Sequence, residues 1–165
     1  MNKIFLLTLL MFSSKITKAQ VQSRSFDSLL HIMVTKSVPT VGCEGLKKMQ
    51  DLILLDTREK REYEVSHLKN AQWVGFEKFD LKNVANIPKD ANIVVYCSIG
   101  VRSGKIGEKL IQAGFTNVHN FYGGIFEWVN QGNPVYDMAG KQTNKIHGYN
   151  WKWGVWCNKG EKVYE

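Results

Sequence analysis

The sequence predicts an α/β fold in which helices cover both faces of a central, mainly parallel sheet. Two apolar, β-branched runs, Leu52–Asp56 and residues 93–97, are typical of strands that are buried on both faces. Segments with helical apolar spacing follow these runs, so strands and helices alternate along the chain. The chain has 165 residues, which is enough for one domain with a substantial core.

The predicted elements follow one another in a regular order. Apolar residues recur with helical spacing from Phe26 to Met33 and predict a leading helix within residues 20–36. Pro39 and Gly42 end this helix, because proline and glycine interrupt helical patterns. The further predicted elements are a helical turn over 44–50, strands over 52–56, 72–74, 93–97 and 118–121, and helices over 60–67 and 103–113.

Residues 1–19 have the features of a signal peptide. Lys3 precedes an apolar run over residues 4–12, which has the length of a signal-peptide core. This run is well short of the roughly 20 residues that a membrane span needs. Cleavage after Ala19 predicts an exported protein, periplasmic or secreted, with no stable membrane span.

The charge of the chain argues against a nucleic-acid partner. Removal of residues 1–19, which hold three lysines and no acidic residue, lowers the formal net charge from +7 to +4. The remaining basic residues are spread along the chain among acidic ones, as on a solvated surface. The weak positive field that remains favours small anionic substrates.

Cys97 is the strongest candidate for a reactive residue. It ends a predicted strand and precedes a predicted helix, so it lies at the sheet edge where parallel α/β proteins bind ligands. Unpaired N–H groups at the helix start, together with the nearby cation of Arg102, lower the pKa of such a thiol. Gly100 allows the loop to curl with its N–H groups inward. The alternative is that Cys97 is a small apolar residue that ends a core strand.

Three motifs, in the right order, resemble one protein family. Residues 97–103, Cys-Ser-Ile-Gly-Val-Arg-Ser, are similar to the active-site loop of single-domain rhodaneses, the thiosulfate-type sulfurtransferases. Residues 52–71 resemble the family's first signature, although Ser66 stands where the family usually has glycine. Residues 122–128 resemble its closing Gly-Gly-x-x-x-Trp segment, and the resemblance covers about residues 38–136. Outside the loop, the match is carried by Asp56, Arg58, Glu59, Glu62, Tyr63, His67, Gly123, Gly124 and Trp128.

The resemblance implies a rhodanese-like three-layer fold and a cysteine that carries sulfur. Cys97 would take the outer sulfur of a small anionic donor such as thiosulfate as a persulfide and pass it to a thiol or cyanide acceptor. Arg102 would bind the oxyanion end of the donor, while Asp56 and Arg58 would support the loop by hydrogen bonds to its backbone. No metal or organic cofactor is implied. The expected substrate-binding residues are Ser98, Ile99, Gly100, Val101, Arg102 and Ser103.

Two other classes of function remain open at this point. Related phosphatases of the same fold have a loop that is one residue longer, with arginine at the sixth position after cysteine. Here Arg102 is the fifth residue after Cys97, which favours sulfur over a phosphoryl or arsenate group. A non-enzymatic module that binds a partner or senses redox state is the stronger alternative.

The mature chain divides into a leading helical segment over 20–37, a rhodanese-like domain over 38–136 and a tryptophan-rich extension over 137–165. In the extension, large apolar residues alternate with polar or small ones from Tyr149 to Val155, which predicts a half-exposed strand before a turn at 158–160. This strand would either pack on the flank of the domain or form an aromatic lip over the Cys97 loop or a partner-binding surface.

Three cysteines leave one over after any pairing. A disulfide between Cys43 and Cys157 would tie the extension to the domain and leave Cys97 free. Two unpaired structural thiols are the alternative.

Overall fold

A computed structural model describes residues 21–164, and the predicted signal peptide lies outside the described residues. The central sheet has five strands, all paired in parallel, and its middle strand is flanked by two long neighbours. The strands are β1 (Thr40–Val41), β2 (Leu52–Asp56), β3 (Gln72–Trp73), β4 (Asn92–Tyr96) and β5 (Asn117–Phe121), in the spatial order β1-β5-β4-β2-β3.

Helices connect these strands and cover both faces of the sheet. Within the described part of the chain, no helix is both long and apolar enough to cross a bilayer. The helices are α1 (Arg24–Met33), α2 (Cys43–Leu46), α3 (Lys60–Val65), α4 (Val101–Gln112) and α5 (Gly124–Asn130), with a 3-10 helix at Leu81–Val84.

Strand β4 separates two apolar cores, because its side chains alternate between the two faces of the sheet. Ile93 and Val95 pack into a core with α4 and the 3-10 helix. Val94 and Tyr96 pack into the opposite core with α1 and α5. All four side chains are completely buried. The predicted α/β fold, a parallel sheet between two helical layers, is therefore confirmed.

Residues 135–163, which include most of the extension, form two small strand pairs and a helix rather than the predicted strand over 149–155. β6 (Val135–Tyr136) pairs with β7 (Gln142–Thr143), and β8 (Lys145–His147) pairs in parallel with β9 (Glu161–Val163). Between β8 and β9, residues Trp151–Gly154 form the short helix α6.

The strand prediction failed because two residues turn the backbone away from an extended path. Tyr149 has a left-handed conformation with φ of 62°, and its N–H donates to Nδ1 of His147 at 3.0 Å. Asn150 then caps α6, since its side-chain oxygen accepts a hydrogen bond from the Trp153 N–H. Alternation of large and small side chains does not reveal either event.

All three cysteines, which lie in the described part of the chain, are free thiols, so the structure lacks the candidate disulfide between Cys43 and Cys157. Both residues belong to the same apolar core, and the Cys157 thiol donates to the Lys159 carbonyl at 3.2 Å. Burial raises the pKa of Cys43 to about 12, with Glu127 adding to the effect. Burial also raises the pKa of Cys157 to about 11, against an opposing effect of Lys162. Both are therefore protonated structural thiols.

Candidate active site

Cys97 lies at the carboxyl edge of the sheet as the sequence predicted, but it begins the loop between β4 and α4 rather than ending the strand. The residue is 1 % exposed, and its sulfur accepts a hydrogen bond from the Gly100 N–H at 3.1 Å. Gly100 precedes α4 with a φ of 106°, a conformation that side-chain-bearing residues rarely adopt. This glycine therefore curls the loop so that one N–H group points at the sulfur.

The first turn of α5 holds the loop from behind. The N–H groups of Ile125 and Phe126 donate to the carbonyls of Cys97 and Ser98 at 3.0 and 3.1 Å. Gly124 makes this approach possible, because a Cβ there would overlap the Cys97 carbonyl oxygen and come within 2.7 Å of the Ser98 carbonyl carbon. Gly124, the second glycine of the closing motif, thus lets α5 fix which way the loop carbonyls face.

The surroundings of Cys97 favour its thiolate form. Complete burial alone would raise the pKa of the thiol, but the Arg102 cation and hydrogen bonds from Ser103 and Gly100 outweigh it and lower the pKa. The Ser103 hydroxyl itself donates to Asn120 at 2.7 Å. We therefore assign the lowering of the Cys97 pKa by Ser103 to the backbone N–H of Ser103. The Asn120 amide donates in turn to the Gly100 carbonyl at 2.8 Å, which fixes the loop further.

Arg102 is paired with a buried carboxylate. Its two terminal nitrogens donate to the two oxygens of Glu62 at 2.6 and 2.7 Å, and one also donates to the Ser98 hydroxyl at 3.0 Å. Burial alone would raise the pKa of Glu62, but its hydrogen bonds to Arg102 and the positive charges of Arg102 and Arg58 lower it. Much of the hydrogen-bonding capacity of Arg102 is therefore used inside the protein, and its expected binding of a donor oxyanion stays a prediction.

Sequence reasoning assigned no role to Glu62, although a signal was present. Glu59 and Glu62 form a capping box at the start of α3, with Glu62 at the third helical position. Because α3 starts just after β2, its third residue, Glu62, lies close to the end of the neighbouring strand β4. The Ser98 hydroxyl also lies 3.2 Å from Glu62, so this carboxylate connects α3 with the Cys97 loop.

Asp56 and Arg58 support the fold near the site, but they do not bond to the loop as expected. The Arg58 guanidinium is completely buried and pairs with Asp56 at 2.6 Å. It also donates to the Ser66 carbonyl at 2.7 Å and lies 5.8 Å from the Tyr96 ring centroid. The Ser66 hydroxyl donates to the Lys145 carbonyl of β8, so the serine at the family's usual glycine position links the domain to the extension.

A pocket of about 150 Å³ lies above Cys97. Its base is formed by the loop, including Ser98, Ile99, Val101 and Arg102. Its remaining walls come from flanking segments, with Met33 at the end of α1 and Tyr149 and Trp153 from the extension. The Tyr149 ring covers the Arg102 guanidinium with 4.8 Å between its centroid and the guanidinium carbon. The extension thus forms an aromatic lip over the loop, and Met33 is a wall that the sequence did not reveal.

The fold and this site together define an α/β protein with a cysteine of lowered pKa in a strand-to-helix loop. Residues 43–131, more than half of the chain, match the sequence model of the rhodanese-like domain. The chain belongs to the rhodanese-like family.

Two relatives illustrate the functions found among similar proteins. A tRNA uridine(34) hydroxylase from Photorhabdus laumondii is 39% identical over 94 residues, which are 52% of this chain and 27% of the hydroxylase. The thiosulfate sulfurtransferase GlpE from Coxiella burnetii is 27% identical over 96 residues, which are 58% of this chain and 89% of GlpE. The chain therefore matches about a quarter of the hydroxylase and most of the sulfurtransferase.

Solved structures share the fold. The polysulfide-sulfur transferase from Wolinella succinogenes aligns with a TM-score of 0.54 at 21% identity, covering 70% of this chain and 89% of that one. A thiosulfate sulfurtransferase from Pseudomonas aeruginosa aligns with a TM-score of 0.57 at 19% identity, covering 74% of this chain and 24% of that one. At these identities the likeness describes the fold alone.

Proposed function

We propose that this protein is a sulfurtransferase in which Cys97 carries a sulfane sulfur as a persulfide. One observation carries the proposal: a cysteine with a lowered pKa lies at the base of a pocket, with the Gly100 N–H directed at its sulfur. A thiolate in that setting is a nucleophile, and the N–H group stabilises negative charge on the sulfur. The similarity to GlpE over most of that sulfurtransferase supports the same chemistry.

The transfer proceeds in two displacements. The Cys97 thiolate attacks the outer sulfur of a donor such as thiosulfate, a sulfur–sulfur bond forms to Cys97, and the donor's own sulfur–sulfur bond breaks as sulfite leaves with the electron pair. A thiol or cyanide then attacks the outer sulfur of the persulfide and releases the Cys97 thiolate. The sulfur is carried by the protein itself, so the scheme uses no metal or organic cofactor.

Arg102 contributes its charge in this scheme rather than a full set of hydrogen bonds. Its cation stabilises the Cys97 thiolate before attack and the negative persulfide afterwards. The N–H groups of residues 98–103 form the cradle around the transferred sulfur. Glu62 holds the guanidinium in place, and we propose it as a positioning residue for Arg102.

We also propose that the protein acts after export, with residues 1–19 removed and residues 20–37 and 137–165 flanking the domain of residues 38–136. The short apolar run after Lys3 supports a signal peptide. Sequencing the amino terminus of the protein from cell fractions tests this. A periplasmic or secreted chain that starts near Gln20 is expected, and a cytoplasmic chain that starts at Met1 would contradict it.

The function is tested by thiocyanate formation from thiosulfate and cyanide with the purified protein. We expect turnover by the parent protein and none by Cys97→Ser, while both proteins give the same circular dichroism spectrum. Absence of turnover, and of any persulfide on Cys97 after incubation with sulfane sulfur donors, would contradict the proposal. Hydrolysis of an aryl phosphate by the same protein would instead favour a phosphatase.

A further inference from the structure

We infer that the sulfur donor carries a compact apolar group, about the size of a phenyl ring, which binds between Met33, Tyr149 and Trp153 while Cys97 attacks its sulfane sulfur. The inference rests on the proposed sulfur transfer and specifies which donor the pocket selects. Thiosulfate, which has no apolar group, would then be a poor donor.

The first support is the size and chemistry of the pocket. Its volume is about 150 Å³, and an apolar cavity of about 150 Å³ in another protein is known to take up benzene. The walls above Cys97 are a thioether, two aromatic rings and the aliphatic side chains of Ile99 and Val101. Such walls gain little from contact with a small, strongly hydrated dianion, because burial of apolar surface is what they stabilise.

The second support is the charge balance at the pocket. Among the lining residues, all of which the structure describes, Arg102 is the one that carries a positive charge. Its charge is offset by the Glu62 carboxylate at 2.6 Å, and its face is covered by Tyr149. A donor with two negative charges would also meet the Cys97 thiolate. This arrangement favours a donor with a single negative charge and an apolar substituent.

The third support is the origin of the apolar walls. The matched family segment, residues 43–131, supplies Cys97, its cradle and the Glu62–Arg102 pair. The three walls that close the pocket come from outside that segment, with Met33 before it and Tyr149 and Trp153 after it. The flanks are fixed to each other, since the rings of Phe26 and Trp156 stack at 5.4 Å. This chain therefore adds its own selectivity to a common sulfur-transfer loop.

The chemistry of such a donor balances without a further reactant. The Cys97 thiolate attacks the sulfane sulfur of a thiosulfonate, R–SO₂–S⁻, and forms a new sulfur–sulfur bond. The donor's sulfur–sulfur bond breaks, and its electron pair leaves with the sulfinate, R–SO₂⁻. The sulfane sulfur remains on Cys97 as a deprotonated persulfide, so no proton, oxidant or reductant is consumed.

A series of three donors with the same sulfane sulfur tests the inference. Thiosulfate, methanethiosulfonate and benzenethiosulfonate differ in the group attached to the reacting S–S unit. We expect kcat/KM for sulfur loading of Cys97 to rise along this series, with benzenethiosulfonate at least about tenfold above methanethiosulfonate, as small changes of apolar contact produce in other enzymes. Loading is followed by sulfinate or sulfite release and by the gain of one sulfur atom in the intact mass.

Variants of the pocket walls, each with a control in the same helix, show whether these walls cause the preference for the apolar donor. Trp153→Ala and Met33→Ala remove one wall each. Both are expected to lower the ratio of kcat/KM for benzenethiosulfonate to kcat/KM for methanethiosulfonate toward one. Their controls are Trp151→Ala and Ile32→Ala, which change exposed neighbours in the same helices, 71% and 83% exposed, and should leave the ratio unchanged. Two wall variants from different helices keep the test valid if one of them fails to fold.

The outcomes separate this inference from the proposed function. Equal loading by all three donors, or a ratio that neither wall variant changes, would overturn the donor inference while leaving Cys97 a sulfur carrier. Failure of every donor to load Cys97 in folded, reduced protein would overturn the proposed function itself.

Discussion

The lowered pKa of Cys97 depends on a pair of charged residues beside it. Burial alone raises the pKa of a thiol, and the Arg102 cation is the largest effect that opposes it. Glu62 fixes this guanidinium with two charge-assisted hydrogen bonds and receives a third contact from Ser98. A carboxylate on α3 thus holds the cation that lowers the pKa of the cysteine directly after β4.

We expect Arg102→Gln to raise the pKa of Cys97. The substitution removes the cation and leaves the buried Glu62 carboxylate without its partner, and both changes disfavour a nearby thiolate. The rate of Cys97 alkylation by iodoacetamide, measured against pH, should therefore have its midpoint at higher pH. Lys105→Gln is the matched control, because it removes an exposed cation one turn along α4. Superimposable pH profiles of Arg102→Gln and the parent protein would refute this expectation.

At the residue scale, the sequence indicated the loop itself and gave the aromatic lip as one alternative, but it missed Met33 and the role of Glu62. Cys97, Gly100 and Arg102 lie within one short segment, so their spacing alone indicates a thiolate loop. Met33 reaches the pocket from α1, and Glu62 binds Arg102 from α3. Their contacts depend on how the helices pack across the sheet, which side-chain periodicity does not specify.

Two short helices flank the Cys97 loop and restrain it from different sides. The first turn of α5 binds the carbonyls of Cys97 and Ser98, while α6 presents Trp153 to the pocket. The α5 contact depends on the absence of a side chain at Gly124. The loop therefore has its shape imposed by a neighbouring element as well as by its own glycine.

We expect Gly124→Ala to impair sulfur loading of Cys97 by at least about tenfold, since a misplacement of about 1 Å at a reacting group can cost more than that. The new Cβ overlaps the Cys97 carbonyl oxygen, so the loop must move away from α5. The left-handed backbone at this position adds a strain of about 1–3 kcal/mol, which thermal unfolding should register. Gly140→Ala is the control, because it has a similar positive φ with no atom within 4 Å of the new Cβ. Equal activity of Gly124→Ala and Gly140→Ala would contradict the conclusion that α5 fixes the shape of the Cys97 loop.

At the scale of single elements, the apolar pattern predicted the secondary structure correctly where a strand is buried inside the sheet. β2 and β4 carry continuous apolar runs, which predicted buried strands, and both are interior strands of the sheet. In the extension, a different pattern, the two-residue alternation of residues 149–155, suggested a strand where α6 forms. There a capping side chain, Asn150, and a left-handed residue, Tyr149, override the pattern.

On the scale of the whole molecule, the segments outside the matched domain close around it. α1 and the extension contact each other through Phe26 and Trp156, and Ile146 and Cys157 of the extension are completely buried. Ser66 bonds to β8, so the extension is also attached on the side of α3. α1 and the extension therefore belong to the main apolar core of the protein. This packing brings Met33, Tyr149 and Trp153 together as walls of the pocket.

This shared core contains two protonated thiols, which makes the stability of the molecule sensitive to alkaline pH. The pKa of Cys43 is raised to about 12 and that of Cys157 to about 11 by burial, whereas the ordinary value is 9.0. Above pH 9 the unfolded chain binds fewer protons than the folded one, so the stability that these thiols contribute is complete below that pH and is lost as pH rises toward 11 and 12. Urea titrations at increasing pH should show the free energy of unfolding fall, and Cys157→Ala should flatten this decline. Cys97→Ala is the control and should not flatten it, because the pKa of Cys97 is lowered rather than raised. An equally steep decline in Cys157→Ala and in the parent protein would show that the Cys157 thiol does not contribute.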